Sequence, residues 1–544
     1  MPDQQGPTTT SAYVNRLRFR WGGHAAISGA CWDWCIAIGA SLACIAVQSN
    51  VYLNHDVGWV LYSSGLMLDG KVFSRDIIEA NPPLIYYLNL PPALAAKITG
   101  IQSATAFRLY IIGLVNFCLV LCWRAMHSCE GTRQNVPLRG FIATAAISWL
   151  VLPGREFGQR EHLALFLTTP YLLVTAAQLS AEQKSRYLRF TCATFAAIGY
   201  SLKPYFLVVP LLVESYSFLT TKPLRSRPRL ELLTMLGVGA LYAVSIPVVA
   251  PDYMSKIIPM FRMIYWGFNT RFIVVVAQIL PDLMFMPILL VLVWQTGGRP
   301  RHIQMLLGFA TYGFLISYLV QMKGYAYHAY AFDGFMLLWL LVNVCALFAS
   351  YKKPSATGVS LPWLLIGAVS FTLPLLVDGI QVKNWYGDAN ITSGRLGNQT
   401  TDIINLVNRY ASNAYFTALS THPYPGFPIA NQSLAQWGSR TNSHFMIPAI
   451  AKLRQGGIEP ITRAQQSEIE RSAHQFVIED FNRFDPTIIL VDARSVRHAL
   501  QDSSFDILRF YLEDPRFERI WSEYEELPPL HGFRVFVKLT AQQR

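Results

Sequence analysis

The stretch HDVGWVLYSSGLMLDGKVFSRDIIEANPPL, residues 55–84, carries four acids, Asp56, Asp69, Asp76 and Glu79, among mostly apolar and aromatic residues. It lies just beyond the first long apolar run of the chain, at 28–47. An exposed loop is usually more polar than this, and a membrane span carries fewer charges. What these carboxylates do on an aromatic surface at a membrane edge depends on the rest of the chain.

Composition places the chain in a membrane. It is 52% hydrophobic and 14% charged, with a mean hydropathy of +0.29, well away from soluble domains. Apolar stretches recur at 28–47, 104–123, 140–153, 162–180, 188–201, 204–219, 230–250, 273–294, 303–320, 330–350 and 360–380, and eleven spans are expected. Residues 1–27 read as a cytoplasmic tail whose polar first dozen residues are disordered. The first apolar run is too long for a cleavable signal and lacks a small-residue cleavage site, so it is expected to stay as an anchor.

The net charge of +12 resides in clusters at 16–20, 133–139, 184–189, 222–229, 297–301 and 351–353. With a cytoplasmic N-terminus, eleven spans put every cluster on the cytoplasmic side, as the positive-inside rule demands. The charge therefore reads as orientation rather than nucleic-acid binding. The opposite face receives the loops 48–103, 154–162, 202–205, 251–272 and 321–329, which mix polar, basic and aromatic residues. Counting LIYYLNLPPALAAKITG (84–100) as a span would invert everything after it. It is read instead as a re-entrant or surface-lying helix broken at Pro91-Pro92. The stretch 251–272 reads as interfacial. All eight cysteines fall between Cys31 and Cys345 without CxxC spacing and read as small apolar packers.

Residues 381–544 are soluble in composition and read as a small α/β domain, on the outer face because an odd number of spans precedes it. TIILVDARSV (487–496) reads as a buried strand leading to a helix, FDILRFYLEDPRFERIW (505–521) as a helix and FRVFVKL (533–539) as a closing strand.

A carboxylate at a membrane surface serves as a general base when it is held against an acceptor hydroxyl. Asp56 is placed for that role by the first span, with a helix cap or an arginine partner as the structural alternatives. Asp69 precedes Gly70 and reads as a turn residue; Asp76 and Glu79 adjoin Arg75 and read as an ion pair with it. GREFGQREH (154–162) gathers Arg155, Glu156, Arg160, Glu161 and His162, with Glu156 and Arg160 forming an i,i+4 bridge if the segment is helical. Lys203 stands between two apolar runs, where an anionic partner is expected. Lys323, Tyr325, Tyr327 and His328 crowd the start of the tenth span. Together these groups describe a cationic, aromatic-lined cavity facing acids, suited to a lipid-linked phosphate bearing a sugar.

In order and spacing, residues 55–84 resemble the integral-membrane GT-C glycosyltransferases, above all the protein O-mannosyltransferases and the lipid A aminoarabinose transferases. Those carry an acid just after the first span, followed by a pattern lY...g..l..G...y.D..e..pPl. The resemblance covers roughly the first 210 residues by motif and the rest by layout. Asn81-Pro82-Pro83 stands where the aminoarabinose transferases usually have Lys-Pro-Pro. Glu161 matches the family's second acidic site loosely, and the soluble tail matches no family by motif.

The resemblance implies a polytopic α-helical membrane fold of the GT-C type with a small C-terminal α/β extracytoplasmic domain. It implies inverting transfer of a sugar from a polyprenyl-phosphate carrier to a glycan, lipid or protein acceptor, in a bacterial inner membrane with the site facing the periplasm. Asp56 is then the base, with Glu161, Asp76 and Glu79 as further acids. Lys203, Arg155, Arg160, Lys323 and His328 are expected at the donor phosphate, and Trp59, Tyr62, Tyr325 and Tyr327 at the sugar or acceptor. No cofactor is expected: a divalent cation on Glu161 and His162 is less favoured than an all-cationic phosphate site. The competing reading is a transporter or flippase of a lipid-linked or anionic solute, with Asp282 as a coupling acid; a structural scaffold is a third.

Overall fold

The structure is a computed structural model that describes residues 31–127, 140–180, 184–220, 229–295, 302–351, 360–456, 461–500 and 504–539. The N-terminal tail 1–27 and the basic clusters at 16–20, 133–139, 222–228, 297–301 and 352–353 lie outside the described residues.

Within the described residues, each of the eleven apolar stretches is mainly helical. Seven helices are long and apolar enough to cross a membrane alone: Cys31–Ser49, Ser103–Met126, Arg160–Leu179, Leu230–Val249, His302–Gln321, Ala326–Tyr351 and Leu361–Ala389. An eighth candidate span is broken, with Phe272–Gln278 and Leu280–Gln295 meeting at 70°; Asp282 lies just past that break. Phe141–Val151, Arg186–Ser201 and Pro204–Thr220 are shorter. The last long helix runs to Ala389, nine residues past the expected end of the membrane part.

The burial of these helices follows their composition. Arg160–Leu179 is buried along almost its whole length, as a helix apolar all round must be when it stands at the centre of a bundle. Leu230–Val249 buries only Glu231 and Thr234, and turns Leu241 and Val248 outward, 73% and 78% exposed. A continuous exposed apolar face of this kind is what a lipid-facing helix presents. The seven cysteines among the described residues are free thiols.

Pro91 and Pro92 do not break the 84–100 segment: one helix, Leu84–Thr99, runs through both. Their missing N–H groups leave Tyr87 and Leu88 without a helical donor, which the helix tolerates. It packs on His55–Leu68, the helix that carries Asp56.

After Ala389 the chain builds a five-stranded sheet from β1 (Tyr415–Leu419), β2 (Gln436–Trp437), β3 (Ile488–Asp492), β4 (Tyr524–Leu530) and β5 (Phe533–Lys538), in the order β2-β1-β3-β5-β4. β1 pairs in parallel with both β2 and β3, whereas β5 runs antiparallel to β3 and β4. Ile488–Asp492 is buried throughout, as a near-continuous apolar strand inside a sheet should be. Residues 493–500 form an irregular loop rather than the expected helix, and the helical stretch 505–521 divides at Pro515 into Ile507–Leu512 and Pro515–Trp521.

This domain sits on the face that carries residues 48–103. The amide of Asn431 donates to Gly58 O at 3.0 Å, Trp437 N donates to the Tyr62 hydroxyl at 3.0 Å, and Ile78 N donates to Arg440 O at 2.8 Å. Phe427 packs edge-on to Trp59, and Phe445 stacks on Phe261 of the 251–272 segment.

Candidate functional site

Between the domain and the helical bundle lies a cavity of about 410 Å³, within the usual range for a small-molecule site. Its wall includes Asp56, Trp59, Glu79, Arg155, Arg160, Tyr325 and Tyr327 from the sequence-predicted set. Asp56 lies in the first turn of His55–Leu68, where the helix dipole favours a carboxylate. The cap of that helix is Asn54, whose Oδ1 accepts from Asp56 N at 3.0 Å. Gln159 donates to Asp56 Oδ2 at 3.3 Å, and His55 Nε2 stands 3.8 Å from Oδ1. The Asp56 side chain keeps 26% of its surface, so it is anchored by its helix and still open to the cavity.

Glu79 is a structural organiser of the opposite wall. It accepts from the Trp59 indole at 3.1 Å, from Ala80 N at 2.7 Å and from the Asn81 amide at 3.0 Å. Burial raises its pKa above the usual carboxylate value, against the pull of Arg160. Because Asn81 spends its NH₂ on Glu79, its carbonyl oxygen is turned toward Arg160, which donates to it. The positive charge beside Asn81-Pro82-Pro83 belongs to Arg160. Arg155 is exposed and lines the cavity.

Several predicted residues are placed elsewhere. Asp76 bonds Arg483 of the C-terminal domain at 2.5 Å, and Arg75 bonds Asp252 at 2.7 Å, so the Asp76–Arg75–Glu79 cluster does not form. Asp69 pairs with Lys97. Tyr62 holds Trp437 N and packs on Phe427 outside the cavity wall. Lys323 donates to Tyr265 O and Asn269 Oδ1, both at 2.8 Å, with its ammonium 4.0 Å from the Tyr265 ring centroid. Burial brings Lys323 down to about 7.

Glu161 and Lys203 form a buried pair behind the wall, 2.5 Å apart and 0% and 5% exposed. Gln321 accepts a second bond from Lys203 at 3.0 Å, and His328 Nε2 is 4.0 Å from Glu161. Burial lowers Lys203 to about 8 even though Glu161 pulls it upward. Glu161 and His162 do not converge on one point. His162 Nδ1 accepts from Gly158 N at 3.0 Å and its Nε2 meets Trp149 O at 2.7 Å, so both ring nitrogens are engaged. Gly158 makes this turn possible: its φ is +83°, and a Cβ there would fall 2.3 Å from Phe107.

Three groups of the cavity are not among the site residues expected from the sequence. Glu156 lines the cavity from a 3₁₀ turn rather than pairing at i,i+4 with Arg160, because the helix begins only at Arg160. Burial raises Glu156 from 4.5 to about 7. The native state therefore retains a proton that the unfolded chain has lost, and stability declines as pH rises from about 4.5 to 7. Glu156→Gln removes that decline: its melting midpoint should exceed wild type at pH 8 and equal it at pH 4, by thermal unfolding of detergent-solubilised protein. The other two are His422 and His498 of the C-terminal domain, and nothing local in the sequence ties either to residues 55–56.

No family model matches the chain, and no curated protein matches it in sequence. Among solved structures, ArnT from Cupriavidus metallidurans bound to undecaprenyl phosphate superposes with a TM-score of 0.53 at 12% identity, over 95% of this chain and 99% of that one. The apo state of the same protein gives 0.50 at 12% identity, over 95% and 98%. The archaeal oligosaccharyltransferase AglB from Archaeoglobus fulgidus, in complex with an inhibitory peptide and a dolichol-phosphate, gives 0.45 at 11% identity, over 85% and 69%. The likeness to ArnT shows the fold: a polytopic helical membrane protein of the GT-C type with a small C-terminal sheet. It also reaches across most of the C-terminal domain, which no sequence motif had connected to that fold.

Proposed function

We propose that the protein is an integral-membrane glycosyltransferase that moves a sugar from a polyprenyl-phosphate carrier to an acceptor hydroxyl on the non-cytoplasmic face, with inversion. The observation that carries this reading is one cavity in which an open, helix-anchored carboxylate, Asp56, shares the wall with Arg155 and Arg160. ArnT, which has this fold, was solved bound to undecaprenyl phosphate, and that supports a polyprenyl-phosphate donor here.

In this scheme Asp56 takes the proton from the acceptor hydroxyl as its oxygen attacks the anomeric carbon. The anomeric carbon–oxygen bond to phosphate breaks, and the carrier leaves as an anion that needs no proton. Arg155 and Arg160 offset the charge that develops there, in a site poorer in water than bulk. Glu79 and Asn81 hold Arg160 in place. Arg155 is exposed, so Arg155→Gln should leave the fold intact. It should weaken donor binding roughly ten- to a hundredfold, the worth of a charge-assisted contact to an anion. Competition by polyprenyl phosphate checks this.

The deciding experiment incubates the purified protein with a panel of polyprenyl-phosphate sugars and scores release of carrier phosphate. Absence of release from every donor, with movement of a labelled lipid-linked sugar across proteoliposomes instead, would establish the flippase reading. Orientation is tested in intact cells: cysteines at Lys71 and Glu468 should react with an impermeant reagent and one at Arg186 should not.

A further inference from the structure

The C-terminal sheet contains a topological feature with its own consequence. β1 and β3 are parallel neighbours, and the chain leaves β1 toward β2 on one side and β3 toward β4, beyond β5, on the other. In open α/β sheets such a divergence opens a crevice at the carboxyl ends of the two strands, where ligands bind. His422 lies in the loop after β1 and His498 in the loop after β3, and both line the transferase cavity. The crevice of the soluble domain therefore opens into the membrane-domain site.

The loops at this crevice are held by a built network. Ser420, just after β1, donates to Asp492 at the end of β3 at 3.1 Å and accepts from His422 N at 3.1 Å. Asp492 also receives two bonds from Arg494, each 2.8 Å. Thr421 donates to His498 O at 2.5 Å, and Ala499, the next residue, sits at φ +56°, a strained conformation for a residue with a side chain. The His422 ring lies 4.2 Å from that of His55, tilted by 53°, and 5.0 Å from that of His498 in an edge-on arrangement, and His498 Nε2 meets the Tyr325 hydroxyl at 3.0 Å. His422 Nδ1 accepts from Tyr424 N at 3.0 Å, so the neutral ring carries its proton on Nε2 and has a donor to offer.

We propose that this crevice is a glycosyl-binding subsite, in which His422 and His498 hydrogen-bond the hydroxyls of a neutral sugar unit lying against the imidazole faces. Burial holds all three histidines below their ordinary range, helped by a neighbouring imidazole at His55 and His422 and by Arg494 and Arg155 at His498, so at neutral pH they are uncharged and offer both donors and acceptors. Neutral imidazoles suit hydroxyls better than a phosphate, whose cation Arg155 stands near enough to act on His55 and His498. Asn442 and Ser443 extend the same uncharged lining. The assignment of this sugar to the acceptor rests on the transferase reading. The carrier's lipid tail keeps its phosphate on the bundle side, near Arg160 at the head of a spanning helix, and the soluble domain faces the partner that arrives from outside.

The test uses the full chain in lipid nanodiscs with methyl hexopyranosides and methyl pentofuranosides as probes, read by saturation-transfer NMR. At least one glycoside should bind, and His422→Gln and His498→Gln should each weaken it at least tenfold. His531→Gln, on the β4–β5 turn, should not, and melting midpoints check that all variants fold. Binding by none of the glycosides, or binding unchanged in both variants, overturns the subsite. Added polyprenyl phosphate should leave the bound glycoside in place if the sugar is the acceptor's; displacement by a polyprenyl-phosphate sugar alone assigns it to the donor. Glycoside binding without carrier release from any donor overturns the transferase reading while the subsite stands.

Discussion

Asp56→Asn is expected to lower sugar transfer by roughly two to four orders of magnitude, the worth of a positioned general base, with donor binding nearly unchanged. The substitution keeps size and shape. An asparagine oxygen can still accept from Gln159, and Asn54 continues to cap the helix, so the melting midpoint should hold. What is lost is only the capacity to take a proton. Single-turnover transfer and donor competition on the purified variant separate these effects. Near-wild-type transfer in Asp56→Asn, with loss in Glu156→Gln, Glu79→Gln or Glu161→Gln, would move the base to another acid. Glu156 is the sharpest rival, because it shares the cavity and burial brings it to about 7, near the pH at which a base works best.

The second large effect is structural. Lys203 was expected at the carrier phosphate, but its ammonium is committed to Glu161 and Gln321 behind the cavity wall. Lys203→Ala strands a fully buried carboxylate and should destabilise the protein by about 3–5 kcal/mol, the usual penalty for breaking a buried pair from one side. Removing both charges at once, with Lys203→Met and Glu161→Gln together, should recover most of that loss, since two uncharged groups leave no unpaired ion. Chemical denaturation of the single and double variants measures it. A Lys203→Ala protein that melts like wild type and loses only donor affinity would return Lys203 to the phosphate.

The sequence by itself determined whatever depends on local composition and period. Eleven apolar stretches are helical because each can bury its backbone polar groups only within itself in lipid. The acid-bearing segment after the first helix, with Asp56 one residue into the next helix, was legible because its spacing is short-range. β3 and β5 were legible from their apolar strand patterns. Only the tertiary structure decided which charges find each other. Asp76 pairs with Arg483, 407 residues away, because docking of the C-terminal domain brings that guanidinium to it while its neighbour Arg75 is held by Asp252. Lys203 and Glu161, 42 residues apart, pair because neither can be buried alone. His422 and His498 reach Asp56 through parallel β1–β3 pairing and the seating of the sheet on His55–Leu68, and neither relation leaves a local trace in the sequence.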